Sequence, residues 1–554
     1  MFLFICNTNY NMAAQGKAVV NKCGEKYMKI EYQEKKNRQD ILSVILKSLL
    51  IVTFLFIEIL LLSGSVFGGK SVLVSNRMMF ILGIIGYCIY LAFNRKKIPR
   101  SVIVENVGLA VSSLILLVVQ LIIIYNIIFQ TSWDVEAVWY GAHWAAIGDK
   151  LGLEQMSEYF SLCPNNLFLV VIFSSILKLN NILGEPFSNG GLLLAIFQAI
   201  MINLAGLILF KCAKRFVMVA NAWKIYFVYS ILVGISGWIV LPYSDGMGVI
   251  FPILLLYIYI RIRECNGEVQ RCGYILLLSA IAVVGYYVKP YTSIVFIAII
   301  VIETTNWWKK FISNYSRTML LTMMRNIVIG VITMVVCNTL ILGMNRSVGF
   351  DLDKERAMGW QHYLMIGVNV ESWGGYNDAD LAFAKSFNDK EIRNKREMQL
   401  IVERIQNMGV KGCAELFVHK ASKNFLDGNW GWGTDKSFYK EIYPSRSNGL
   451  CTYLRSWYYG FENSYCYNAT IRQFIWIIVL IMIPFASFTL KTLQSEQKVL
   501  FLAVLGFMLY LQIFESHARY VFVFVPLFLI LAFVGSENLK TLLNLFFNIN
   551  QSKK

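Results

Sequence analysis

Long apolar runs, separated by short polar segments, repeat along most of the chain. An α-helix needs about 20 apolar residues to cross the hydrocarbon core of a bilayer. Runs near this length predict twelve transmembrane helices, at residues 41–67, 79–93, 101–130, 190–210, 216–240, 247–260, 274–288, 291–304, 326–343, 471–490, 500–514 and 520–533. The pattern therefore predicts an all-α polytopic membrane protein.

One further apolar run, residues 166–179, is not expected to cross. Basic residues of short loops collect on the cytoplasmic side, and the basic segment 95–100 marks that side before the third span. If both 166–179 and 190–210 crossed, Lys211, Arg215 and Arg261 would all lie outside. The run is short and follows Pro164, so we predict a helix that lies along the outer interface. Both chain ends are then cytoplasmic.

Residues 345–470 interrupt the membrane pattern because they are polar and rich in aromatic side chains. A connection of that length needs structure of its own, so we predict an α-rich outer domain. Apolar spacing predicts helices at 389–408 and 410–425, with Gly409 between them. The predicted organisation is a basic cytoplasmic tail at 1–40, a transmembrane module at 41–344 with its outer loop at 131–189, the outer domain at 345–470, the last three spans at 471–536, and a cytoplasmic tail at 537–554.

Composition agrees with the membrane class and indicates which binding partners to expect. Of the 554 residues, 57% are apolar and 15% are charged. The net charge of +17 comes from lysines and arginines in short loops, so we expect a lipid bilayer as partner and no nucleic acid. The 11 cysteines form no CxxC pair, which argues against a zinc site. Cys451 and Cys466 are either bridged or free.

Polar residues collect where the predicted spans reach the outer side. The third span ends in the acidic segment with Asp134 and Glu136, and carboxylates at the mouth of a membrane helix usually have a function. The same topology brings other polar residues to that side. A single outward-facing site is predicted from this set, which comprises Asp134, Glu136, Asp245, Lys289, Glu515, His517, Arg519 and Tyr520.

Acids beside cations suit a reaction in which a carboxylate accepts a proton while cations hold a phosphate leaving group. Other roles stay open: Lys289 and Arg519 could anchor helix ends, and Asp245 could cap the following helix. Asp134 and Glu136 could also share a divalent cation. The sequence has no further ligand set at a recognisable spacing, so no metal or cofactor is assigned.

The outer domain carries aromatic segments with amides, carboxylates and glycines, around Trp360, Trp373 and Trp430. Side chains of these types are suited to bind sugars, because the apolar faces of sugar rings stack on indoles and the hydroxyls pair with polar groups. We therefore expect His362 and Trp430 in a pocket. The alternative is an aromatic belt at the level of the lipid headgroups.

These residues resemble the GT-C superfamily of membrane glycosyltransferases, in the branch of the protein O-mannosyltransferases and the lipid A aminoarabinose transferases. The resemblance covers residues 101–310 and 499–536. The matching features are Trp133-Asp134-Val135-Glu136 followed by Tyr140-Gly141-Ala142, the aromatic–proline segment from Tyr159 to Asn166, Pro242 with Asp245, Lys289-Pro290, and Glu515, Arg519, Tyr520 and Pro526. The chain departs from the pattern in having two spans before the acidic loop and a large domain before the last three spans.

The resemblance implies a donor sugar linked to polyprenyl phosphate and transfer with inversion at the outer face of the plasma membrane. Asp134 would be the general base, and Lys289 and Arg519, with His517 and Tyr520, would hold the phosphate. The outer-domain segments resemble cell-wall transferases of Gram-positive bacteria, which implies a surface polysaccharide, teichoic acid or protein as acceptor. Two alternatives stay open. One is a polysaccharide polymerase or ligase; the other is a lipid or polysaccharide transporter, which predicts internal repeats.

Overall fold

The computed structural model describes residues 40–64, 72–93, 102–182, 191–432, 439–442, 448–489 and 491–551. Almost all of the predicted N-terminal tail, the basic segment 95–100, part of the loop 131–189 and the last residues 552–554 lie outside this described part.

Helices account for nearly all of the regular structure. The helices before the tenth predicted span are α1 (Ile41–Ser63), α2 (Asn76–Phe93), α3 (Val102–Ile127), α4 (Trp133–Ile147), α5 (Lys150–Leu162), α6 (Leu167–Ile182), α7 (Gly191–Ala213), α8 (Val219–Tyr229), α9 (Ser244–Gly248), α10 (Ile250–Glu264), α11 (Glu268–Val288), α12 (Ser293–Ser313), α13 (Arg317–Ser347), α14 (Trp360–Gly367), α15 (Asp378–Lys385), α16 (Lys390–Phe425) and α17 (Gly449–Tyr458). The closing helices are α18 (Tyr465–Met482), α19 (Ser495–Ile513) and α20 (Val525–Gln551).

Short irregular turns join several of these helices. Tight helical turns occur at Pro164–Asn166, Gly237–Val240, Pro290–Thr292, Lys354–Arg356, Ile483–Ser487 and Ala518–Phe524, and a wide turn occurs at Ser230–Gly234. Two short strands, β1 (Phe129–Gln130) and β2 (Glu441–Ile442), pair antiparallel.

The protein is an all-α polytopic membrane protein, as predicted. Ten helices of the described residues are long and apolar enough to cross a membrane. Two shorter apolar helices, Asn76–Ile89 and Val219–Gly234, occupy the positions of the second and fifth predicted spans. The run at 166–179 falls in α6, which meets α5 at a bend of 115°. Pro164 lies at that bend and has no N–H to continue the preceding helix, so α5 and α6 do not form a straight span.

The segment from residue 521 to residue 536 is buried at every position. A helix that is apolar on all sides belongs in the interior of a bundle, and this segment is the start of α20 with the turn before it. Arg519 and Tyr520 directly precede this segment. In contrast, only Gly330, Ile341 and Asn345 are buried along α13, so this helix lies at the periphery.

Residues 345–470, which we call the inserted domain, contain α14 to α17. The predicted helix pair 389–408 and 410–425 is confirmed: α16 is interrupted at Gly409, whose φ is 57° and ψ is −171°. Asp389 caps the first part by accepting from the Ile392 N–H at 2.8 Å. Cys451 and Cys466 are both free thiols, which decides between the two alternatives for this pair.

Candidate functional site

The Asp134 carboxylate lies at the start of α4 and is held by two tyrosines. Tyr159 Oη donates to Asp134 Oδ1 at 2.9 Å, and Tyr243 Oη donates to Oδ2 at 3.3 Å. Asn166 Nδ2 donates to Tyr159 Oη at 2.7 Å and so orients that hydroxyl. Asp134 itself is only partly buried. Its orientation is therefore fixed, and each carboxylate oxygen keeps a lone pair for a further donor.

Asp245 lies between two cations a short distance away. Lys289 Nζ is 2.7 Å from Asp245 Oδ1 and 3.0 Å from Ser244 Oγ. Arg519 Nε is 3.4 Å from Asp245 Oδ2. The Asp245 and Lys289 residues are 3% and 8% exposed, and charges so deeply buried are stable only when they are paired. The two cations thus share the Asp245 carboxylate.

Arg519 has an unusual environment because no described residue accepts a hydrogen bond from it. Its Nε is buried and has no acceptor in hydrogen-bonding geometry. The side chain as a whole is 16% exposed. The guanidinium lies 4.4 Å from the centre of the Trp133 ring and 5.6 Å from that of Tyr520. Buried polar groups almost always have partners. The guanidinium donors of Arg519 are thus free to bind an anion.

Trp133 joins the two parts of the site. It precedes Asp134, it stacks on Arg519, and its ring meets the Tyr243 ring edge-on at 6.2 Å. Its φ of 63° is rare for a residue with a bulky side chain, and such backbone strain tends to occur at functional sites. Asp134 and Arg519 therefore lie in one cluster, at the end of the spans that we call the site end.

The ionisation of the surrounding groups follows from burial and from these partners. Burial lowers the pKa of Lys289, and the neighbouring Asp245 partly opposes that shift. Burial and the charge of Asp134 raise the pKa of Tyr243 well above its usual value. The Tyr243 hydroxyl therefore stays protonated and can donate to Asp134. The Lys289 ammonium also lies 4.6 Å from the centre of the Tyr520 ring, which favours the charged form.

Glu515 and His517 form a second polar pair beside Arg519. His517 Nε2 is 3.4 Å from Glu515 Oε1. Burial would raise the pKa of Glu515, but His517, Arg519 and Lys289 together lower it below its usual value. Burial lowers the pKa of His517 despite the nearby Glu515. At neutral pH the pair therefore consists of a carboxylate and a neutral imidazole.

Three predicted residues lie apart from this cluster or have other partners. Glu136 forms an ion pair with Lys440 and accepts from Gln130 at 3.5 Å. Side chains two positions apart on a helix project in directions that differ by about 200° around its axis, so Glu136 points away from Asp134 on α4. The expectation of a second carboxylate beside Asp134 is not met.

His362 and Trp430 were expected in a sugar pocket, but both are buried. His362 is 3% exposed, and its Nδ1 lies 3.1 Å from Glu397 Oε1 inside the inserted domain. Trp430 is fully buried, 5.7 Å from Trp476 and 5.4 Å from Phe522 between ring centres. Neither side chain has a free face for a ligand.

The residues that orient Asp134 were not predicted from the sequence. These residues are Tyr159, Asn166 and Tyr243. They lie in or beside segments that carry the family resemblance, but the sequence indicates no chemical role for them. Tyr243 lies two residues before Asp245 in the same outer turn, so its proximity to the site could have been inferred. Tyr363 was also missed: its hydroxyl donates to Asn165 Oδ1 at 3.5 Å, and it brings the inserted domain to the edge of the site.

No metal-binding group is evident in the described part of the chain, where no three His, Cys, Asp or Glu side chains are suitably clustered. Comparison with protein families gave one match, in which the model for conserved hypothetical integral membrane proteins covers residues 33–540. The chain belongs to this family. The matched range includes both the membrane helices and the inserted domain. No match was found among curated proteins or among solved structures.

Proposed function

We propose that this protein is a membrane glycosyltransferase that moves a sugar from a polyprenyl-phosphate donor to a hydroxyl of an extracytoplasmic acceptor. The observation that carries the proposal is the guanidinium of Arg519, which has no hydrogen-bond acceptor among the described residues. It lies beside Lys289 and Asp245, and it stacks on the tryptophan that precedes Asp134. An anion-binding group and an oriented carboxylate thus share one site.

Asp134 is the general base in this proposal. The acceptor hydroxyl gives its proton to the carboxylate, and its oxygen bonds to the anomeric carbon of the sugar. The bond from that carbon to the phosphate oxygen breaks, and the electron pair stays on the phosphate. Because attack and departure occur on opposite faces, the anomeric configuration inverts. Tyr159 and Tyr243 hold the carboxylate in the orientation that this attack requires.

Arg519 and Lys289 bind the phosphate. A guanidinium with unused donors matches phosphate oxygens in a bidentate arrangement, and Lys289 adds a point charge. The two cations face the negative charge that develops on the departing phosphate. His517 and Tyr520 lie beside these cations and complete the surface.

An apolar cavity near Lys289 suits the lipid part of the donor. Its volume is about 400 Å³ and it lies between α11, α12 and α13. The lining includes Ala282, Val283, Tyr286, Tyr287, Phe296 and Val335. Tyr287 is two residues from Lys289, and α13 is a peripheral helix, so an isoprenoid chain could enter from the bilayer.

The charge distribution favours an extracytoplasmic site. Lys214 and Arg215 pair with Glu105 and Glu496 at the end of the spans opposite Asp134. Lys309 and Lys498 pair with Asp40 at that same end. Basic residues gather at the cytoplasmic ends of membrane helices, and this pattern supports the proposal that the site end faces the outside of the plasma membrane.

The test is a transfer assay with the purified protein in liposomes. Radiolabelled polyprenyl-phosphate sugars are offered with cell-wall glycan, teichoic acid or protein acceptors, and the label in the acceptor is counted. The proposal expects acceptor-dependent transfer with release of polyprenyl phosphate. Growth of a lipid-linked chain would instead favour a polymerase, and movement of intact lipid-linked sugar across the bilayer would favour a transporter. Either of those results without transfer would refute the proposal.

A further inference from the structure

Lys420 is a fully buried lysine that the proposed chemistry does not use. Its Nζ donates to three backbone carbonyl oxygens, those of Gly367 at 2.8 Å, Gln512 at 2.9 Å and Phe514 at 2.8 Å. Three acceptors match the three hydrogens of an ammonium group. Gly367 ends α14 and Phe514 follows α19 directly, so one side chain caps the carboxyl ends of two helices.

The two helix ends approach each other closely around Lys420. A Cβ on Gly367 would clash with the backbone at Ile513 and Phe514, so only glycine fits there. The stem of Lys420 packs on Gly374, whose φ is 72°. Removal of the ammonium would leave all three carbonyls without this donor, and a buried acceptor that loses its donor is costly.

The segment that follows α19 leads directly into the anion-binding cluster. The Glu515 N–H donates to Tyr363 O and the Ser516 N–H donates to Gly374 O, each at 2.8 Å. Three residues after Ser516 comes Arg519. The Phe514 carbonyl and the N–H groups of Glu515 and Ser516 therefore all form hydrogen bonds with the inserted domain.

We infer that Lys420 is a positioning residue, through which the inserted domain fixes the segment 514–516 and hence the place of Arg519. The inference rests on the proposed function for its effect on the donor. One consequence can be tested without substrate. The backbone N–H groups of Glu515 and Ser516 should lose protection from hydrogen exchange when Lys420 is replaced.

The test compares Lys420→Met and Lys420→Arg with Lys411→Met, a control on the same helix whose side chain is 92% exposed. Hydrogen exchange is followed by mass spectrometry on peptides covering 510–520. Lys420→Met should exchange at 515 and 516 at least about tenfold faster than the parent, and the control should match the parent. Lys420→Arg keeps a cation that can reach the carbonyls and should restore most of the protection. If Lys420→Met does not fold, Lys420→Gln serves in the same comparison.

Donor kinetics add a second readout. Lys420→Met should raise the donor KM by about tenfold, because a displaced Arg519 binds phosphate poorly, and Lys420→Arg should recover most of it. A purely structural role would lower the amount of active protein and leave KM unchanged. Unchanged exchange at 515 and 516 in Lys420→Met would overturn the inference. A parent protein that transfers no sugar but shows the expected exchange pattern would refute the proposed function alone.

Discussion

Arg519 combines a buried nitrogen that has no hydrogen-bond acceptor with a position beside the start of the helix that carries Asp134. The Arg519 Nε is buried without a hydrogen-bond acceptor, and the guanidinium contacts the Asp245 carboxylate and the rings of Trp133 and Tyr520 instead. That arrangement is costly for the unliganded protein. It becomes favourable when an anion supplies the missing acceptors, which is the behaviour expected of a binding residue.

Replacement of this residue gives a direct test at the residue scale. Arg519→Gln should weaken binding of polyprenyl phosphate by about 10- to 100-fold, since hydrogen bonds to charged groups contribute about 1.5–3 kcal/mol. Arg519→Lys keeps the charge but not the planar fork, and should recover only part of the affinity. Binding is measured by competition in detergent or nanodiscs. Arg325→Gln, which removes an exposed arginine at the opposite end, is the matched control; equal affinities in all variants would exclude Arg519 from the phosphate site.

Individual site residues could be predicted from the sequence only where the predicted membrane topology restricted their position. Asp134, Asp245, Lys289 and Arg519 were grouped because each lies at the outer end of a predicted span. His362 and Trp430 were chosen by residue type, and the structure buries both inside the protein. Aromatic and histidine side chains serve packing as readily as binding, and nothing in their spacing distinguishes the two uses.

At the scale of elements, breaks in helices create the site. The chain leaves regular helix at Pro164, at Tyr243 just before α9, at Lys289 after α11, and at the turn Ala518–Phe524. Each break places a polar side chain at the same level of the bundle. The apolar runs predicted the helices on either side but not the geometry of the breaks, because that depends on tertiary contacts such as those of Gln198.

Gln198 fixes the break before α9 and offers a test of its importance. Its Nε2 donates to three carbonyls, including Leu241 O at 3.0 Å, and its Oε1 accepts from the Tyr243 N–H at 3.0 Å. A Cβ on Gly246 would overlap the Gln198 amide. Gly246→Ala should therefore destabilise the fold by about 1–3 kcal/mol and weaken donor binding by moving Asp245.

Thermal unfolding and donor binding are measured together for this variant. Gly86→Ala is the control, since a Cβ there meets nothing within 4 Å, and it should neither lower the unfolding temperature nor weaken donor binding. If Gly246→Ala unfolds at the parental temperature and binds donor normally, α9 does not depend on that contact.

At the scale of the whole molecule, the membrane class was predictable from the length of the apolar runs. The twelve predicted spans correspond, in the described residues, to ten helices long enough to cross a membrane and two shorter apolar helices. The packing of the inserted domain on the bundle was not predictable. It rests on close backbone approach at Gly367, on the buried Lys420 and on the pairing of β1 with β2, and none of these has a periodic signature in the sequence.

Orientation in the membrane is a prediction for the whole molecule. Single cysteines at Lys411 in the inserted domain and at Tyr315 between α12 and α13 replace exposed side chains, in a variant whose native cysteines are removed. In intact cells, an impermeant thiol reagent should label Lys411→Cys, and Tyr315→Cys should react only after permeabilisation. The reverse pattern would place the site in the cytoplasm and would exclude an extracytoplasmic acceptor.

The most direct test of the account compares two neighbouring carboxylates on α4 in the transfer assay. Asp134→Asn should lower the rate of sugar transfer by about 10³-fold while donor binding and thermal stability stay at parental values, because only the base is lost. Glu136→Gln, which alters the carboxylate paired with Lys440, should transfer at close to the parental rate. Parental turnover in Asp134→Asn, or equal losses in both variants, would contradict the central claim that Asp134 is the base of a transferase site.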